Sequence, residues 1–175
     1  LYADIDMECF KPVGHLLENR KCILSIEAHL SARRMRELNY PAPVQIANCI
    51  FAAEAGHSFF KAAVETSFGL IERCGDIGLS DVENLTGPRM LTHLYFSGNW
   101  PDVEVMNQIV LMAPTNYPNL WPLNQNMHAR HHTFGSWKSL SYLRSLRRTG
   151  LDWNRWPNPF PKTLTENDRS RVRTH

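Results

Sequence analysis

No run of apolar residues in this chain approaches the roughly 18 that a membrane-spanning helix needs, and no signal-peptide pattern is visible. A strong charge of one sign is also lacking. The formal net charge of +2 gives no general argument for nucleic acid as a partner. There is no C-x-x-C pair, which argues against a cysteine zinc site built from Cys9, Cys22, Cys49 and Cys74. Each of these thiols lies in partly apolar sequence that suits burial. A lumenal disulfide is the other option, with about three pairings open to four cysteines and nothing in the sequence to choose among them. H-E-x-x-H is absent, as are internal repeats and low-complexity tracts. What remains is an ordinary globular composition, 43% hydrophobic over 175 residues, enough for one domain with a sizeable core.

The basic charge is concentrated at one end. Residues 138–175 hold nine Lys or Arg against three Asp or Glu, and the rest holds ten against fourteen. Such a stretch can meet anionic lipid or phosphate, and can equally be a solvated end. From Gly150 onward there is little apolar periodicity despite Trp153, Trp156 and Phe160. An irregular basic tail over 149–175 is therefore expected after a domain over 1–148.

Within that domain, short strand-like runs interleave with longer helical ones, which predicts an α/β class. Residues 1–6 read as the end of a strand, and Pro12 and Gly14 as a turn. His15–Arg20 has room for one or two helical turns. Lys21–Glu27 (KCILSIE) has a strand-like apolar centre, and Glu27–Asn39 is spaced loosely for a helix. Val44–Ala55 reads as a short strand feeding a helical turn closed by Gly56. Ser58 is placed to cap a helix over Phe59–Arg73, with Phe60, Val64, Phe68 and Ile71 as its apolar positions. Thr86-Gly87-Pro88 starts another helix, with Thr86 as cap and Pro88 in the first turn. Residues 109–113 (IVLMA) suggest a strand near a sheet edge, Pro114–Asn126 a loop, and Ser136–Arg148 a helix.

The first chemical feature is Asp4-Ile5-Asp6, with Glu8 two positions on. On a continuing strand these three acids would share one face, and Ile5 and Met7 would point into the core. Two adjacent carboxylates repel each other when charged. A divalent cation removes that conflict and carries diphosphate oxygens at the same time. Beyond the carboxyl end of a strand, where α/β sheets bind ligands, such a pair can serve Lewis-acid catalysis on a leaving phosphate. Asp-x-Asp also recurs by chance on protein surfaces, and it occurs in phosphatases with one Asp as nucleophile.

The second feature is His128-Ala129-Arg130-His131-His132, followed by Thr133-Phe134-Gly135-Ser136-Trp137. An imidazole here can complete a metal sphere or donate to a phosphate oxygen. Ser136 can cap a helix whose free N–H groups help hold an anion. Zinc on His128, His131 or His132 is a competing reading, and a hydrogen-bonded loop with Trp137 in the core is the plain one. Asn48, among apolar neighbours, needs partners for its amide. It serves either a substrate hydroxyl or the backbone, and Gln45 reads as structural. His57 either caps a helix or faces a cleft. Trp121, Trp153 and Trp156 can stack on sugar, and aromatics are as often core.

Four pieces in order carry a resemblance. Leu1–Pro12 (LYADIDMECFKP) resembles the central motif of the DXD-containing sugar transferases of the fungal mannosyltransferase type. That family includes the initiating alpha-1,6-mannosyltransferase and the inositol-phosphoceramide mannosyltransferases. Gln45–Phe59 (QIANCIFAAEAGHSF), Thr86-Gly87-Pro88 and His131–Trp137 (HHTFGSW) are similar to it in the same order. The resemblance implies the C-terminal portion of a GT-A-type, partly Rossmann-like nucleotide-sugar domain. It implies a metal-dependent retaining glycosyltransferase using Mn²⁺ or Mg²⁺. A hexose, mannose first, would pass from a nucleotide-diphosphate sugar to a glycan or sphingolipid acceptor. GDP-mannose is the favoured donor and a UDP-sugar such as UDP-galactose the next.

The resemblance further implies that a glycine pair, the base-reading half of the domain and a membrane anchor lie upstream, in a Golgi enzyme facing the lumen. Carried onto this chain, it makes Asp4, Asp6, His131 and His132 the catalytic group. Asp4, Asp6 and His132 would be the metal ligands, with Asp6 the stronger direct ligand. Asp4, Asn48, His57, Ser136 and Trp137 would bind the donor. No unique carboxylate nucleophile stands out, which leads to a same-face displacement in which the departing diphosphate helps deprotonate the acceptor. An inactive or non-catalytic fragment stays open, as does a metal-dependent phosphate or glycoside hydrolase.

Overall fold

The computed structural model describes residues 1–74, 81–113 and 126–132. The expected helix over 136–148, the tail over 149–175, and Ser136, Trp137, Trp121, Trp153 and Trp156 lie outside the described residues.

The apolar run at Cys22–His29 forms β3, the strand on which the fold is organised. It starts where expected and continues two residues past Glu27. Its alternation sends Cys22, Leu24 and Ile26 into one core cluster and Ile23 into another, so each face of the sheet carries its own core. Leu24 is completely buried and Ile23 and Ile26 nearly so. Burying side chains of this kind stabilises by roughly 1.5–3 kcal/mol each.

The partners of β3 are β4 (Val44–Ile46), β5 (Ile50–Ala53) and β6 (Val103–Met106). Both β4 and β5 run antiparallel to it, pairing His29↔Val44 at one end and Cys22↔Ala53 at the other. They are two halves of one edge, interrupted at residues 47–49. The helical turn expected within Val44–Ala55 is not formed, because alternate residues of that segment reach the two cores: Val44 and Ile46 one, Ile50 and Ala52 the other. On its other side β3 pairs in parallel with β6, Cys22↔Val103 to Ser25↔Met106. β1 (Tyr2–Ala3) adds to β5 antiparallel. The result is a five-stranded mixed sheet, ordered β1-β5-β3-β4 with β6 on β3, beside a two-stranded ribbon of β2 (Met7–Cys9) and β7 (Ala129–His131). The protein is a mixed α/β structure.

Helices cover the sheet. α1 (Gly14–Leu17) forms one turn where one or two were expected over His15–Arg20. α2 (Ala32–Glu37) is shorter than the charged stretch suggested, because β3 claims residues up to His29 and Ser31 caps the helix from Arg34 N–H. α3 (Ser58–Cys74) turns inward only part of the stripe its sequence suggests, Phe60 and Ile71 packing against the core. Phe59, Ala63 and Leu70 are buried, whereas Val64 and Phe68 are 55% and 63% exposed. Its start is capped by His57, whose Nδ1 accepts from Phe59 N–H at 3.2 Å, not by Ser58. α4 (Val82–Leu85) leads into α5 (Pro88–Ser97). Pro88 stands in the first turn as expected, but Thr86 does not cap: Gly87 is the cap residue, and the Thr86 hydroxyl returns to Val82 carbonyl at 3.2 Å. Gly87 is required by space, since a Cβ there would sit 2.7 Å from Glu83 Cα.

The run at 109–113 is not a strand. α6 (Gln108–Leu111) forms instead, because Asn107 Oδ1 accepts from Ile109 N–H, while Leu111, Met112 and Ala113 are buried. All four cysteines are free thiols. Among the described residues no helix is long and apolar enough to cross a membrane.

Candidate metal centre

β1 and β5 are antiparallel, as are β5 and β3, so β1, β3 and β6 all run in one direction. Their carboxyl ends form one edge of the sheet, the edge at which α/β proteins bind ligands. Asp4 follows β1 there and Asn107 follows β6.

The acidic pair does not continue a strand. Met7 N–H closes on Asp4 carbonyl at 3.1 Å, so Asp4–Met7 is a turn, and Ile5 points fully into solvent instead of into the core. Met7 does pack against the second core cluster. The turn fixes each acid separately. Asp4 N–H donates to Cys49 carbonyl at 2.8 Å, in the interruption between β4 and β5. Asp4 Oδ1 accepts from the Tyr2 hydroxyl at 2.6 Å. That bond to a carboxylate, with burial second, pushes the Tyr2 hydroxyl above its ordinary range. Asp6 carbonyl accepts from His132 N–H at 3.0 Å, which continues the β2–β7 ladder by one bond.

The ladder registers Met7 against His131 and Glu8 against Arg130. Adjacent residues of β7 therefore serve different partners. His131 Nε2 lies 3.1 Å from Asp6 Oδ1, and one ligand atom each from Asp4, Asp6 and His131 fall within 4.8 Å of one another. The Asp6 and His131 side chains are 18% and 16% exposed. His131 Nδ1 is buried with no hydrogen-bond partner. Two carboxylates and one imidazole form a donor set that fits a divalent cation. The carboxylate oxygens suit Mg²⁺ or Mn²⁺.

His132 is turned to Glu8, with Nε2 2.8 Å from Oε2. Arg130 Nε donates to the same oxygen at 3.2 Å, and its guanidinium also lies over the Phe10 ring. Arg130 first, and His132 second, hold the Glu8 carboxyl below the usual range. His132, expected among the metal ligands, is thus placed in an ion-pair cluster beside the trio.

Asn48 lies in the interruption next to Cys49, close along the chain to the carbonyl that holds Asp4. His57 is elsewhere. β5 leaves the sheet beside Cys22, at the amino end of β3, and His57 follows it there. It borders an open groove of about 680 Å³ whose walls include Leu1, Tyr2, Phe51, Phe60 and Val64. Ser136 and Trp137 fall outside the described residues.

One residue at the carboxyl edge escaped the sequence reading. Glu27 accepts from Gln45 Nε2 at 2.7 Å, and Gln45 Oε1 accepts from the Tyr40 hydroxyl at 2.7 Å. Its only signal was a carboxylate at the end of an apolar strand. No family model, curated protein or solved structure matches this chain.

Proposed function

We propose that this chain carries the metal- and diphosphate-binding part of a retaining hexosyltransferase with a GT-A-type domain. The donor would be a nucleotide-diphosphate sugar, GDP-mannose first and a UDP-sugar second, and the acceptor a glycan or sphingolipid head group. The observation that supports this reading is the meeting of Asp4, Asp6 and His131. These residues come from the first and last of the four motif-like pieces, and nothing in their local sequence requires them to meet.

Asp4, Asp6 and His131 would hold Mn²⁺, which when bound supplies Lewis-acid stabilisation to a diphosphate leaving group. Cys49 carbonyl and the Tyr2 hydroxyl keep Asp4 oriented, and the β2–β7 ladder keeps His131 beside Asp6. Such preorganisation lets charge develop on the leaving group without rearranging the site. In the same-face displacement, the bond from the anomeric carbon to the diphosphate oxygen breaks. The bond to the acceptor oxygen forms, and the acceptor proton passes to the departing diphosphate. By the family resemblance the setting would be the Golgi lumen, with the chain held at the membrane by an anchor.

The test is Mn²⁺-dependent transfer from GDP-mannose to an α-mannoside or inositol phosphoceramide, comparing the unaltered chain with Asp6→Ala. Transfer should depend on Mn²⁺ and vanish in the variant, with the melting temperature unchanged within a few degrees. A folded chain that binds neither Mn²⁺ nor donor would instead be an inactive module. Release of free mannose faster than transfer would favour a hydrolase.

A further inference from the structure

We infer that Glu27 is the residue of this site that recognises hydroxyls of the donor hexose, aimed by Gln45 and Tyr40. This rests on the transferase reading and adds the sugar-recognising element which that reading lacks.

The placement comes from the sheet. The last β3–β6 pair is Ser25↔Met106, so Glu27 stands two residues beyond it, on the edge that also bears Asp4. Gln108 Nε2 donates to Glu27 carbonyl at 2.6 Å and fixes its backbone. Strand alternation puts Ile23 and Ser25 on one face; a register shift between Ile26 and Ala28 interrupts it at Glu27, and the bond from Gln45, whose neighbours Val44 and Ile46 enter the other core, holds the Glu27 carboxylate on the Ile23 side. Ile23 belongs to the core cluster shared with Cys49 and Ala129 and flanked by Met7, so Glu27 faces the same side as the ribbon that carries His131.

The chemistry divides the edge in two. Asp4, Asp6 and His131 offer a cation site, which suits a diphosphate. Glu27 is an acceptor that would repel a diphosphate and attract O–H donors. Its carboxylate is oriented by a directed chain of hydrogen bonds. Tyr40 is only 5% exposed, and that burial raises its hydroxyl above the ordinary range, so it stays protonated and donates to Gln45 Oε1. This fixes the amide so that its NH₂ faces the carboxylate. A half-buried, rigidly presented carboxylate beside a diphosphate site matches the neutral polyol end of a nucleotide sugar. Hydrogen bonds from hydroxyls to a charged acceptor are also the stronger kind.

The experiment titrates the full chain, with Mn²⁺ present, with GDP and with GDP-mannose, then with UDP and UDP-galactose. The readout is the ratio of sugar-nucleotide to nucleoside-diphosphate affinity. Glu27→Gln should lower that ratio about 10-fold or more and leave Mn²⁺ and diphosphate affinities unchanged. Tyr40→Phe, which removes only the aiming hydroxyl, should shift the ratio the same way by less, and it serves as the readout if Glu27→Gln loses its fold. An unchanged ratio in a folded Glu27→Gln protein, or equal losses for both ligands, would overturn the assignment. An unaltered chain that binds no nucleoside diphosphate with Mn²⁺ would remove the transferase reading itself, and this inference with it.

Discussion

His131 Nε2 approaches Asp6 Oδ1 to 3.1 Å across 125 positions of sequence, while the adjacent His132 turns to Glu8. Successive side chains of a strand point to opposite faces. One histidine is thereby offered to the carboxylate pair and the other to Arg130 and Glu8.

The two histidines should therefore behave differently toward Mn²⁺. His131→Ala is expected to weaken Mn²⁺ binding by at least the 10- to 100-fold typical of losing even an outer-shell partner. His132→Ala should change it by no more than about 3-fold, a small effect for a group outside the trio. Electron paramagnetic resonance of free Mn²⁺ during titration measures both. Equal losses in the two variants would refute the division.

A buried hydroxyl gives a stability prediction. Thr92, fully buried on α5, accepts from Ile46 N–H at 2.9 Å and donates to Pro88 carbonyl at 2.6 Å. Thr92→Val keeps the shape but leaves the strand amide without its acceptor. The expected cost is about 1–3 kcal/mol in urea unfolding, with Thr92→Ser milder. A Val variant within about 0.5 kcal/mol of the unaltered protein, the range of a neutral surface change, would show that the amide has another partner.

His93 sets an acid limit. It packs edge-on against Tyr40, and burial lowers its pKa to about 4, against an opposing hydrogen bond with the Leu38 backbone. The ordinary histidine value is about 6.5. Between these values the unfolded chain holds a proton that the folded one does not, so stability falls as pH drops from about 6.5 to about 4. The slope is at most about 1.4 kcal/mol per pH unit for one group. Glu8, whose pKa is lowered, acts in a lower window: its contribution is lost as pH falls through its folded value, below the usual glutamate range. Urea midpoints at pH 7, 5.5 and 4.5 should show the slope, and His93→Gln should flatten it. A parallel pair of profiles would assign the acid sensitivity elsewhere.

The elements readable from sequence were those whose signal is local. β3 announced itself as an apolar run, and α5 by Gly87-Pro88 ahead of an apolar stripe. Residues 109–113 misled because a short buried apolar run looks alike in a strand and a helix, and the deciding contact was the Asn107 cap. The two half-strands at 44–53 were obscured by their interruption, and the exposure of Val64 and Phe68 on α3 by its surplus of apolar residues. At the site, the acidic pair and the histidine tract were visible as residue types. Which histidine meets the acids depends on the Met7↔His131 register, a pairing across the whole domain that no local pattern encodes. Glu27 was hidden for the same reason, since its partner Gln45 lies on another strand.

The turn at Asp4–Met7 joins the large sheet, through Asp4 and Cys49, to the small ribbon, through Asp6, His131 and His132. A cation held by both acids would thus be a rivet between two separately hydrogen-bonded bodies. Its occupancy would tighten the ribbon onto the domain, so the ribbon's amides would gain protection from solvent exchange whenever the ion is in place.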